Sequence, residues 1–264
     1  MKRINLLILL LSIFILTIST ESCKKDDNCP TGFSGTNCEI EDLCVIQNVN
    51  CQNGGACVDG TCDCPTGYIG TSCETFDPAQ VQLLLDGGQT PLELVNGNVP
   101  LDSLYGKMYE GGFIFYLNTA DGTGMVAATT NQSDGAEWGC YLYDVLGLNN
   151  VQTDPTDPEI EEGARIGDGM TNTTTILTEC AEDNIAAKLC LALGPDWFLP
   201  SRGELKLMYT NLHVKGHGGF SDGTYRSSTE YGYYDAWFLD FYIGGIQSVT
   251  TKNWSMHVRA VRAF

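Results

Sequence analysis

Between Cys29 and Cys73, eight of the chain's twelve cysteines crowd into a stretch rich in Gly, Asn and Thr. So short a segment has too few apolar side chains to build a core, so covalent bridges must hold it. Bridges in turn require an oxidising compartment. Cys44, Cys51, Cys57, Cys62, Cys64 and Cys73 are spaced C-x6-C-x5-C-x4-C-x-C-x8-C. Six cysteines allow fifteen pairings, and spacing does not choose among them. Val58-Asp59-Gly60-Thr61 reads as a tight hairpin, because Asp-Gly tolerates positive φ. Gly67 and Gly70 suit the turns of the last loop.

The N-terminus agrees with export. Lys2 and Arg3 precede an apolar run from Leu6 to Ile18. That run is shorter than the ~20 residues a membrane span needs, and it fits a signal peptide over 1–22. Ser22 precedes Cys23, and Lys24-Lys25-Asp26-Asp27 follows. This resembles a bacterial lipoprotein signal, with Cys23 as the lipidated first residue of the mature chain. Thr20 and Glu21 stand where stricter signals carry Leu and a small residue. The ordinary alternative is plain cleavage with Cys23 in a disulfide. On the lipoprotein reading the chain meets a membrane through its lipid anchor only, and several acyl chains hold it there stably.

Cys51-Gln52-Asn53-Gly54-Gly55-Ala56-Cys57 and Cys62-Asp63-Cys64-Pro65-Thr66-Gly67-Tyr68-Ile69-Gly70-Thr71-Ser72-Cys73 resemble an EGF-like domain, here over 41–75. The resemblance implies the pairs Cys44–Cys57, Cys51–Cys62 and Cys64–Cys73. Cys29 to Glu39 repeats Cys64 to Glu74 almost residue for residue. It resembles the last loop of a truncated EGF-like domain within 23–40, with a Cys29–Cys38 bridge. Glu39, Glu41 and Asp42 offer hard oxygen donors for calcium. The short Cys57–Cys62 hairpin lacks the Asn/Asp and aromatic pair of calcium-binding versions, so these acids read as solvated.

Residues 76–106 read as a connector of short helices. Asp77-Pro78 and Thr90-Pro91 each look like an N-cap followed by proline at the first helical position. Val81, Leu84 and Leu85 form an apolar face that Leu92, Leu94, Val95, Leu101 and Leu104 can cover.

The remainder, 107–264, reads as an α+β domain with an antiparallel sheet and two helices. Strands are expected at Gly112–Leu117, Met125–Thr129, Tyr225–Tyr231, Ala236–Tyr242, Ile246–Thr251 and His257–Phe264. Helices are expected over Ile185–Leu193 and after Pro200. There Ser201 is a good N-cap, Glu204 completes a capping box, and Leu205, Met208, Tyr209 and Leu212 share one face. Trp197 and Leu199 alternate with Phe198 as in a half-buried strand.

Gly111-Gly112-Phe113-Ile114-Phe115-Tyr116, Gly135-Ala136-Glu137-Trp138-Gly139-Cys140, Ala186-Ala187-Lys188-Leu189-Cys190, the stretch Trp197 to Leu205, Ser227-Ser228-Thr229-Glu230-Tyr231 and Val258-Arg259-Ala260-Val261-Arg262 occur in that order. The domain resembles the family named for the C-terminal domain of Lcl, a bacterial collagen-like adhesin. The resemblance implies a C-type-lectin-like fold and a role in adhesion or glycan binding; the resemblance to a lipoprotein signal implies a lipid anchor at a bacterial outer membrane, with the chain surface-exposed. The Glu-Pro-Asn, Gln-Pro-Asp and Trp-Asn-Asp motifs of calcium-dependent lectins are absent from the sequence. Cys140, Cys180 and Cys190 are odd in number; the favoured pair is Cys140–Cys180, with Cys190 buried on its helix.

The chemical motifs weigh against catalysis. Gly219-Phe220-Ser221-Asp222-Gly223 matches G-x-S-x-G, and Asp240 and His257 follow in hydrolase order. A nucleophile elbow needs a strand–turn–helix, and this is a glycine-rich loop. His213 and His217 have metal-ligand spacing only on a helix, which Gly216, Gly218 and Gly219 oppose. Asp154, Asp157, Glu159, Glu161 and Glu162 lack the EF-hand order and read as a solvated loop. Formylglycine-generating enzymes share the Leu-Pro turn but use late cysteines, and none follows Cys190. No catalytic residue, metal or cofactor is expected.

A net charge of −19 lacks the footprint of a nucleic-acid binder. The expected partner is a glycan or a surface protein; the runner-up function is a hydrolase acting on surface polymers. Tyr225, Tyr231, Tyr233, Tyr234, Trp237, Tyr242 and Trp254 cluster late in the chain. Trp237 reads as core. Tyr233, Tyr234 and Trp254 are the ligand-binding candidates, since aromatic faces stack on sugars and anchor protein contacts.

Overall fold

The computed structural model describes residues 31, 33–34, 40–65, 67–152 and 161–264. The readings for 1–22, Cys23, Cys29 and Cys38, and for Asp154, Asp157 and Glu159, lie outside the described residues. The chain divides into two compact units, one reaching to Pro65 and taking in Gly70–Glu74, the other formed by Thr66–Ile69 and Thr75–Phe264.

In the first unit, β1 (Phe33–Ser34) pairs antiparallel with β2 (Ile40–Glu41). The single turn α1 (Leu43–Ile46) is capped by Asp42, whose carboxylate accepts the Cys44 and Val45 N–H groups. The hairpin of β3 (Ala56–Val58) and β4 (Thr61–Asp63) turns through Asp59 and Gly60, both at positive φ. Disulfides join Cys44 to Cys57, Cys51 to Cys62 and Cys64 to Cys73. Cys73 is the one buried residue among those described in this unit, so crosslinks stand in for a core.

The second unit is mixed α/β. It opens with β5 (Tyr68–Ile69) paired to β6 (Thr75–Phe76), then α2 (Gln80–Asp86) and α3 (Pro91–Asn96). Thr90 and Glu93 form a full capping box at α3. At α2 the helix starts later than the sequence suggests. Asp77 accepts the Ala79 N–H instead of capping at Pro78, and Ala79 takes the N-cap place. Val81, Leu85, Leu94, Val99 and Leu104 are buried against Ile114, Leu117 and Val126, so residues 76–106 pack as part of this unit.

Two five-stranded sheets follow. One has the order β11 (Trp197–Phe198), β16 (Val261–Ala263), β9 (Gly124–Ala127), β8 (Gly112–Leu117), β7 (Met108–Tyr109). The other runs β10 (Ser133–Ala136), β15 (Met256–Val258), β12 (Thr224–Glu230), β13 (Asp235–Asp240), β14 (Ile246–Thr251). All pairs described are antiparallel except β12 with β15. The sequence reading of one closing strand from His257 to Phe264 is corrected: β15 and β16 belong to different sheets. Arg259 and Ala260 are buried at the crossing.

The expected pair of helices is also corrected to three. Besides α5 (Ala186–Leu191) and α6 (Arg202–Met208), a twelve-residue helix α4 spans Asp168–Glu179. Its threonines are poor helix formers, which hid it. Tertiary bonds override that preference. Thr173 Oγ1 donates to the Leu199 carbonyl and accepts its N–H, while Asn172 donates to Gly163 and to Ser228. A Cβ at Gly169 would lie 2.2 Å from Glu204 Oε2, so only glycine lets α4 approach α6 this closely.

Helix α6 sits over the main core. Leu205, Met208 and Leu212 are buried with Phe115 and Met125 of one sheet and Tyr225, Leu239 and Phe241 near the other. The helix continues as a π-helical segment over Tyr209–His213. Phe198 and Leu199 are both buried, so the expected alternation along this strand fails: β11 ends at Phe198 and Leu199 already belongs to the turn.

The capping box of α6 forms at its expected place, but buried. Glu204 accepts N–H bonds from Ser201, Gly167 and Gly169, tying the loop before α4 to the start of α6. Burial pushes its carboxyl up to about 7, against the pull of those N–H groups. An unfolded chain releases this proton near the ordinary glutamate value of 4.5. The folded state therefore binds more protons between those values and loses stability as pH rises through them. Thermal unfolding of wild type and Glu204→Gln at pH 5 and pH 8 tests this: the wild-type advantage should shrink towards pH 8. A pH-independent gap contradicts it.

Candidate functional site

The exposed aromatic residues of the second unit are not evenly spread. Tyr233 and Tyr234 sit in the turn between β12 and β13, 45% and 53% exposed. Their rings meet edge-to-face at 4.8 Å, and Tyr234 meets Tyr141 at 6.4 Å. Tyr141, Leu142 and Tyr143 belong to the loop after Cys140 and are exposed as well. Cys140 and Leu142 have positive φ, a costly backbone for residues other than glycine.

This loop is fastened from below. The Cys140–Cys180 disulfide ties its start to the end of α4. Lys252 and Glu230 form an ion pair with side chains 0% and 1% exposed. The Lys252 ammonium also donates to the Tyr143 carbonyl at 2.7 Å and lies 4.8 Å from the Trp138 ring centre. Glu230 accepts the Val145 N–H at 3.1 Å. Burial pushes the Glu230 carboxyl up, while the ammonium opposes that shift. The Lys252 N–H donates to the Tyr234 carbonyl, and its own carbonyl accepts the Trp138 N–H. One residue therefore grips both tyrosine-bearing segments, by its side chain and its backbone.

Trp254 is 62% exposed on the turn between β14 and β15. Arg226, fully buried, donates to the Thr251 and Trp254 carbonyls and so holds that turn. Burial pushes the Arg226 guanidinium down to about 10, and the nearby Glu137 opposes that shift. No ring contact joins Trp254 to the tyrosines among the described residues. Tyr225 is buried, Tyr231 packs edge-on to Trp237, and Trp237 is buried under the Arg202 guanidinium at 4.2 Å.

The other motif residues are dispersed. His257 faces Asp134 at 3.3 Å, and Asp240 accepts the Tyr242 and Ile243 N–H groups. The Ser221 N–H donates to the Tyr225 hydroxyl, and no hydrogen bond links Ser221, Asp240 and His257. His213 stacks on Tyr209 within the π-helical segment, while His217 lies beyond it. Among the described residues, one group of three potential metal ligands converges: Cys140, Cys180 and Glu182. Its two sulfurs are bonded to each other, and Glu182 already accepts the Cys140 N–H at 2.9 Å. Cys190 is a buried free thiol that burial keeps protonated.

Comparison with family models gives no match, and comparison with curated proteins gives none. Among solved structures, the chain is similar to a fimbrial protein from Bacteroides ovatus, at a TM-score of 0.39 and 16% identity. That alignment covers 53% of this chain and 36% of the fimbrial protein. A likeness of this degree fixes neither fold nor function. No helix among the described residues is long and apolar enough to cross a membrane.

Tyr141 and Tyr143 escape the sequence reading, which weighs aromatics only in the closing strands. The available signal is Cys140-Tyr141-Leu142-Tyr143, an aromatic run directly after a cysteine. Lys252 and Glu230 lie 22 residues apart and carry no local signature. Replacing Lys252 by Met leaves a buried carboxylate unpaired and should cost about 3–5 kcal/mol in denaturant unfolding. Removing both charges in Lys252→Met/Glu230→Leu should recover much of that loss. Equal costs for the single and double variants would contradict this view of the pair.

Proposed function

We infer that the chain is a cell-surface binding protein whose tyrosine face engages a glycan or a surface protein. The observation that carries this is the fastening of two exposed aromatic segments by one buried residue: the Lys252 ammonium, paired with Glu230, holds the Tyr143 carbonyl, and the Lys252 N–H holds the Tyr234 carbonyl. Loops at a surface need no such anchoring to exist, but a binding face needs it to be preorganised. Tyrosine offers a ring face for sugar C–H groups or a protein pocket, and a hydroxyl for a hydrogen bond. Strained backbone at Cys140 and Leu142 beside those rings supports the same reading. The acidic chain favours a neutral or cationic partner.

In this reading residues 1–22 are removed and Cys23 carries the lipid anchor at a bacterial outer membrane. Residues 41–75 form an EGF-like spacer. Residues 107–264, with the helices of 76–106 packed beneath, form an Lcl C-terminal-type domain of C-type-lectin-like fold. Ser221, Asp240 and His257 each serve a separate structural contact, so the reading assigns no hydrolase chemistry to them.

Binding of the full-length chain to a glycan array and to surface-protein extracts, with and without calcium, tests it. Saturable binding should weaken at least about tenfold when Tyr141, Tyr233 and Tyr234 become alanine. Undiminished binding would move the site elsewhere. No binding to either class would sink the proposal.

A further inference from the structure

A sheet edge invites another strand to pair with it, and proteins blunt their edges against that. Three of the four edges of the two large sheets are blunted. β7 and β11 are two residues long, and β10 carries Asp134 and a register shift against β15. β14 is different. It ends its sheet, and no strand pairs with its outer side among the described residues. Ile246-Gln247-Ser248-Val249-Thr250-Thr251 holds no charge, proline or glycine. It runs against β13 in unbroken register from Ile246 to Thr251. Its six residues give about 20 Å of regular edge.

The ladder fixes which backbone groups face out. The Lys252 N–H donates to the Tyr234 carbonyl, in step with the β13–β14 register. Antiparallel pairs alternate, so Ile246, Ser248 and Thr250 turn their N–H and C=O groups to β13, and Gln247 and Val249 turn theirs outwards. Two exposed apolar groups flank the strand: Tyr242, Ile243 and Ile246 at its start, Trp254 just past its end. Both turns are held in place. Asp240 accepts the Tyr242 and Ile243 N–H groups and Lys206 donates to the Gly245 carbonyl, while Arg226 donates to the Trp254 carbonyl.

We propose that β14 pairs antiparallel with β14 of a second copy, about a two-fold axis at Ser248, joining the two sheets into one. Gln247 of one copy then stands opposite Val249 of the other, the pairing in which outward groups meet. The strand ends favour a second copy over any other strand. An antiparallel two-fold lays the start of one strand beside the end of the other, so Tyr242 and Ile243 of each copy come against Trp254 of the other. Each exposed apolar group thus finds its counterpart on an identical chain. An unrelated extended peptide covers the backbone and leaves both groups bare. Charge agrees: a chain of net charge −19 repels its copy, and this edge strand brings no carboxylate of its own to the meeting line. The interface is independent of what the tyrosine face binds.

Sedimentation velocity of the full-length chain from ~1 to ~200 µM tests the proposal and should show a reversible monomer–dimer equilibrium, with Kd on the order of micromolar for so small an interface. The dimer should strengthen as salt rises, since salt screens the repulsion between two acidic chains. Ser248→Lys and Ser248→Asp each set like charges opposite one another at the axis. Each should weaken the dimer at least about tenfold, with an unchanged melting temperature in dilute solution. Mixed in equal amounts, the two variants should pair with each other. Trp254→Ala should weaken the wild-type dimer as well. A chain that stays monomeric over the whole range would overturn the proposal and leave the edge to a strand of a different protein. A trimer or larger assembly, or a dimer that Ser248→Lys leaves intact, would place self-association elsewhere and overturn it too.

Discussion

A lysine ammonium sealed from water must find its counter-charge inside the protein, and Lys252 finds it in Glu230. Few groups surround this pair, and they join the stretch 138–145 to the turn between β12 and β13. Tyr143 and Val145 bring in the loop after Cys140, Trp138 supplies a ring and an N–H, and Tyr234 accepts from the Lys252 backbone. The Glu230 carbonyl accepts the Val151 N–H, which draws in the end of the same loop. Such a pair adds little net stability over apolar packing of the same shape, because desolvation offsets the attraction. Its effect is on placement. Any arrangement that pulls Tyr143 and Val145 away leaves the interior ammonium and carboxylate short of partners.

A related constraint acts at other buried polar groups. Glu204 gathers three N–H groups around the start of α6. Arg259 holds the crossing between the two sheets by donating to Ala128, Gly218 and Asn131, with Phe220 beneath its guanidinium. These buried groups thus bond to segments where the chain is irregular and backbone ladders cannot supply order. The cations left outside have a different setting. Lys215 pairs with Asp102 and Lys107 donates to the Pro78 carbonyl, exposed contacts that water shares and salt screens.

Sequence reasoning reached what local rules control. Ser201 and Glu204, Thr90 and Glu93, and the Asp59-Gly60 turn announce themselves because their partners lie within three residues. Strand β12, β13 and β14 follow from period and β-branched content. Helix α4 was illegible because Thr173 and Asn172 favour helix only through bonds to Leu199, Gly163 and Ser228. The split of the last strand between two sheets hinges on Arg259, whose partners are far away in the chain. The candidate site was half legible. Tyr233 and Tyr234 stood out beside Gly232 and Asp235, but Tyr141 joins them only through a fold that no spacing reveals. Trp254 is exposed as its turn position suggests, yet no ring contact ties it to the tyrosines.

The claim that Lys252 and Glu230 hold the two tyrosine segments as one surface is tested most directly by amide hydrogen exchange. Wild type and the Lys252→Met/Glu230→Leu variant would be compared, since the variant lacks an unpaired charge and should remain folded. The account predicts that protection falls together in 140–148 and 231–235 while α6 and β8 keep theirs. Unchanged protection in both segments, or loss confined to one of them, would contradict it.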